Sequence, residues 1–146
     1  VDDRSLAIGT VLWVCTFANC QFGEDMGANI REDCPFLKAI GCAEATIVVI
    51  DRDGGSLKRT WCCLEIFHTQ SIRKSVEFYT SGGMVGSQAV SSGPLVEAIA
   101  HWDVRLSSCS EKVYRRQILN FIAGVPETSG LLTDGDGKGK GKGRGK

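Results

Sequence analysis

The segment Arg59-Thr60-Trp61-Cys62-Cys63-Leu64-Glu65-Ile66-Phe67 is apolar almost all round, with one carboxylate set into it. Read as a helix it has no broad polar face, so most of its surface must be buried against other elements. Glu65 then sits where an ionised carboxylate is costly to desolvate unless a partner or a cleft accommodates it. Such burial also raises the pKa of an acid toward values useful in catalysis. Spacing leaves two readings open: Glu65 caps a loop or pairs with Arg59, or it carries chemistry. His68 and Thr69, three and four residues on, share its helical face.

A chain of 146 residues supports one domain with a real core. No apolar run approaches the roughly 18 residues that span a bilayer. The polar start Val1-Asp2-Asp3-Arg4, and the interruption of residues 6–14 by Gly9 and Thr10, argue against a secretory signal. The chain opens on Val, which reads as a fragment or a processed product. Seven cysteines are an odd number, and Cys62 and Cys63 are adjacent on a buried helix. They read as reduced, small apolar residues of an intracellular protein, cytoplasmic or nuclear, in preference to a disulfide framework. Cys15 and Cys20 have no second half at a zinc-site spacing, so no metal is expected.

The net charge of zero is unevenly divided. From Leu131 onward the chain carries five basic residues and two acids, which leaves the rest net acidic by three. Residues 137–146 alternate glycine with Lys or Arg and have nothing apolar to bury, so residues 126–146 are expected to form a disordered basic tail behind one domain, residues 1–125. Such a tail attracts nucleic acid weakly and in a salt-dependent way, or merely solubilises the end.

Along the domain, Val11-Leu12-Trp13-Val14-Cys15-Thr16-Phe17 reads as a strand covered on both faces. Pro35 suits the first turn of a short helix over residues 36–40 that Gly41 closes. Ala45-Thr46-Ile47-Val48-Val49-Ile50 reads as a second buried strand, followed by the turn Asp51-Arg52-Asp53-Gly54-Gly55. The Trp61 helix then runs to about Lys74, and residues 76–80 make a third strand. After a Gly/Ser-rich loop, Pro94 opens a helix to about Trp102. Ser110 reads as the N-cap of a last helix over residues 111–123, stopped by Gly124 and Pro126.

Buried strands alternating with helices imply parallel β-α-β units, here a three-layer flavodoxin-like α/β sandwich with a mainly parallel sheet, truncated at its N-terminus. Ligand sites in such sheets gather beyond the carboxyl ends of the strands. Those ends carry Asn19-Cys20-Gln21, Asp51-Arg52-Asp53 and the loop after Thr80. There is no phosphate loop, no G-x-G-x-x-G after a strand and no G-x-S-x-G. Neither histidine is spaced to serve a cysteine nucleophile.

The Arg59–Ile66 segment resembles the R-x-W-C-x-x-E-[IL] signature of an uncharacterised group of protist and algal proteins. It is also similar to the S-x-W-C-L-x-E-L segment of plant TIR (Toll/interleukin-1 receptor-like) domains. The run from Leu12 to Gln21 resembles the W-[VI]-x-x-[FA]-x-x-N-Q strand end of that group and of heterokaryon-incompatibility domains, with Cys20 in place of asparagine. Trp102-Asp103-Val104-Arg105 and the helix after it resemble the end of the protist domain, so the likeness covers roughly residues 10 to 123. It implies a TIR-like fold and, first, a signalling or interaction module that associates with itself or with other TIR-like domains. It implies, second, an enzyme that cleaves NAD+ as substrate, without a cofactor. Glu65 matches the catalytic glutamate, and Asn19, Gln21 and Asp51 are the expected substrate contacts.

Overall fold

Ala45-Thr46-Ile47-Val48-Val49 is β-branched at four of five positions, and it extends. The computed structural model describes residues 9–14, 30–51, 54–87 and 93–126. These form α1 (Ile30–Asp33), α2 (Pro35–Cys42), β1 (Ala45–Val49), a 3-10 turn (Gly55–Lys58), α3 (Thr60–Ser71) and β2 (Ser75–Thr80). Next come β3 (Gly83–Met84), α4 (Gly93–Ala100), a second 3-10 turn (Val104–Leu106) and α5 (Lys112–Ile122). The protein is a mixed α/β structure. Its sheet has the order β1-β2-β3, with β1 and β2 parallel from Ala45–Ser75 to Val49–Tyr79. β3 pairs antiparallel with β2, Tyr79 opposite Met84, so the sheet is mixed and the Gly/Ser loop contains a tight return that alternation alone did not reveal.

α3 is built from residues with modest helix propensity, two cysteines, two threonines, an isoleucine and aromatics, so packing has to hold it. It lies between two apolar clusters. Leu64 joins Ile30, Cys34, Phe36, Leu37 and Ile118 among the helices, with Trp61, Phe121 and Ile122 packed against them. Ile66 joins Val48, Ile50 and Leu57 on the sheet side, with Phe78 and Trp102 beside them. Each fully buried Leu or Ile contributes about 1.5–3 kcal/mol. That two-sided burial is why the segment lacks a polar face. The hydroxyls of Thr46 and Thr69 lie 2.7 Å apart and tie β1 to α3, while Thr69 donates to the Glu65 carbonyl at 2.7 Å.

α3 ends on Arg73 with φ 61°, a left-handed residue whose N–H bonds the Gln70 carbonyl. The next residue, Lys74, sends its ammonium to the carbonyls of Ile40, Gly41 and Ala43 at 2.9, 2.6 and 2.6 Å. It closes the C-terminus of α2 as a cation should, on the negative end of the helix dipole.

Several expectations need correction. Residues 11–14 belong to no strand; Val11 is 93 % exposed, and Trp13 meets Phe36 edge-on at 5.5 Å. An apolar run reads as a strand only if a sheet position takes it up, and residues 15–17 of that run lie outside the described residues. β1 is covered on one face, by α3; on the other, Ile47 and Val49 stay 40 % and 69 % exposed. α2 runs through Gly41 to Cys42, and Gly124 (φ 70°) stops α5 as expected. Glu111, not Ser110, occupies the N-cap of α5, and its side chain makes no capping hydrogen bond. Among the described residues no helix is long and apolar enough to cross a membrane.

Candidate functional site

The entry to α3 is pinned by a contact across nearly fifty residues. The Thr60 amide donates to the Ser108 carbonyl at 2.9 Å, and the Ser108 amide donates to the Lys58 carbonyl at 2.8 Å. The hydroxyls of Thr60 and Ser107 lie 3.0 Å apart in the interior. Arg115 of α5 reinforces the loop, reaching the Ser107 and Arg105 carbonyls at 2.8 and 2.6 Å. Together these bonds frame an open cleft of about 370 Å³ lined by Arg59, Trp61, Ser108, Cys109 and Ser110. The Trp61 ring is wedged between Phe36 (5.0 Å) and Tyr114 (5.6 Å), so it is a packing residue with one edge on the cleft.

Glu65 stands one turn after Trp61 on α3 and does not itself line that cleft. Burial pushes its carboxyl up to about 7, against the opposing pull of the Arg59 guanidinium. Among the described residues no hydrogen bond or ion pair holds the carboxylate, and it does not bridge to Arg59. The neighbouring Cys34 thiol is raised by burial, with a further push from the Glu65 charge, which places both groups in one low-dielectric environment. His68 is lowered, first by burial and then by the charge of Lys74. No protein-family model, curated protein or solved structure matches this chain. The chemistry therefore has to be read from the residues themselves.

Asp51, expected among the substrate contacts, lies in the turn after β1. Its Oδ1 accepts the Gly55 amide at 2.6 Å and shapes the turn around Gly54 (φ 64°). A Cβ on Gly55 would come within 2.8 Å of Asp51 Oδ2, so the turn depends on that glycine as well. Asn19 and Gln21 lie outside the described residues. Arg59 and Ser108–Ser110 were not foreseen as a cleft, because nothing local in the sequence announces a pairing of Arg59 with Ser108.

Chemically, the cleft offers one exposed guanidinium and two serine hydroxyls, and Glu65, one turn further along α3, carries a carboxyl near half-ionisation at neutral pH. An acid in that state can stabilise a developing positive centre or exchange a proton, and the guanidinium suits an anionic group. Among the described residues no three His, Cys, Asp or Glu side chains are grouped to hold a metal ion. Cys34, Cys42, Cys62, Cys63 and Cys109 are in the reduced state.

Proposed function

We propose that this chain is a TIR-like signalling or protein-interaction module of flavodoxin-like architecture, acting by association with itself or with related domains. The observation that carries this reading is the open face of the sheet, where Ile47 and Val49 stand exposed beside one another in register with β2. Adjacent apolar side chains left in water on a strand mark a surface for association. The β-α-β unit that buries Cys63, Leu64 and Ile66 supports the TIR-like architecture. The test is binding: full-length protein, alone and mixed with a TIR-like domain, is followed by light scattering, and complex formation is expected.

Glu65 favours a second reading, cleavage of NAD+ at the nicotinamide ribosyl bond. A carboxylate that no described residue holds can stabilise the oxocarbenium-like ribosyl centre as nicotinamide leaves, or orient a ribose hydroxyl. Arg59 is the nearest charge acting on it and suits the substrate's phosphates. Release of nicotinamide by wild type and its loss in Glu65→Gln would support this reading; no release in any oligomeric state would leave the module alone.

A further inference from the structure

We propose that the β1 edge is the surface through which two copies of this chain join, by antiparallel pairing of β1 with β1 about a two-fold axis at Thr46; the inference rests on the association reading above. The strand shows which of its groups are available. In a parallel pair, alternate residues aim both backbone groups at the same neighbour. The Ile50 amide donates to the Tyr79 carbonyl of β2 at 2.7 Å, so Ile50, Val48 and Thr46 face β2. Ala45, Ile47 and Val49 therefore face the other way. The Val49 carbonyl is closed off, accepting the Ser56 hydroxyl at 2.9 Å, which confirms the direction. Among the described residues nothing pairs with the outward groups of Ala45 and Ile47.

An open backbone edge is matched only by another extended strand, and edges that remain single carry charges, prolines or bulges. Ala45-Thr46-Ile47-Val48-Val49 has none of these. A two-fold axis at Thr46 sets Ala45 opposite Ile47 of the second copy, so four backbone hydrogen bonds form and the Ser56 cap is left in place. The same operation carries Asp51 toward the Gly41 end of the other α2, where Lys74 sits on the carbonyls. Opposite charges meet at each end, and no like charges are opposed. Such an isologous contact closes as a dimer.

The test measures amide exchange of the full chain at low and high concentration, beside sedimentation of two edge variants. Ile47→Pro removes the outward N–H and leaves the β2 bonds intact, the position at which an edge strand accepts proline. Ile47→Lys places a charge on a residue already 40 % exposed, and serves if the proline variant misfolds. The expected result is exchange at Ala45 and Ile47 that slows as concentration rises, with dimerisation weakened about tenfold or more in each folded variant. Concentration-independent protection of Ala45 and Ile47 would overturn the inference, because it would mean that the edge is filled within a single chain. Dimerisation unchanged in both variants would overturn it too, while leaving association through another surface. A monomer at every concentration overturns it as well, and binding to a separate TIR-like domain then decides the module reading by itself.

Discussion

The Arg59 guanidinium pulls on the Glu65 carboxyl without pairing with it, and burial outweighs the attraction, leaving the acid at about 7. A buried carboxyl on a core helix costs stability whenever it ionises. That cost is tolerated by folds that use the group.

Stability should therefore depend on pH in a defined direction. The folded pKa of Glu65 lies above its ordinary value of 4.5, so its favourable contribution is complete below about 4.5 and is lost as pH rises through about 7. The full loss is at most about 3 kcal/mol. His68, lowered by burial and by Lys74, acts with the opposite sign, contributing above its ordinary value and losing that contribution as pH falls. Denaturant titrations of wild type and Glu65→Gln separate the two: the variant should lose the decline toward pH 7 and keep the His68 slope.

The three carbonyls held by Lys74 predict a large effect from a single surface-accessible residue. Lys74→Met leaves the ends of α2 and the Ala43 carbonyl without their cation, and should destabilise by about 1.5–3 kcal/mol, the range for charge-assisted bonds. Because Lys74 also depresses His68, the same variant should raise the His68 pKa, which a histidine NMR titration reads directly.

Arg73 occupies a left-handed conformation at the end of α3, a geometry that costs a residue with a Cβ about 1–2 kcal/mol. Arg73→Gly should relieve part of it and raise the melting temperature by a few degrees. A lowered melting temperature would show that the Arg73 side chain contributes more than its backbone costs.

If NAD+ is a substrate, nicotinamide release should rise with pH through about 7 as the Glu65 carboxylate forms, and Glu65→Gln should abolish it. Asp51→Ala should leave release nearly unchanged once the loss of its Gly55 bond, about 1 kcal/mol of stability, is allowed for.

Much of the central architecture can be read in the chain, because it depends on local pattern. The β-branched run of β1, Pro35 at the start of α2, the unpolarised helix at Trp61 and the Gly124 stop all follow from residue type and spacing. What escapes is long-range or marginal. Residues 11–14 carry a strand composition, yet they join no strand and Val11 and Leu12 lie exposed, since composition does not supply a neighbouring strand. β3 is two residues long, too short for alternation to register. The Arg59–Ser108 contact that opens the cleft joins segments fifty positions apart. Glu65 is visible as an anomaly, whereas its lack of a bridge to Arg59 required coordinates.

Association decides the account most directly. Light scattering on the full chain across rising concentration should give a mass that climbs from the 15.7 kDa of one chain toward twice that value. A mass fixed at one chain, with no complex on mixing with a TIR-like domain, would contradict the reading of this protein as an interaction module.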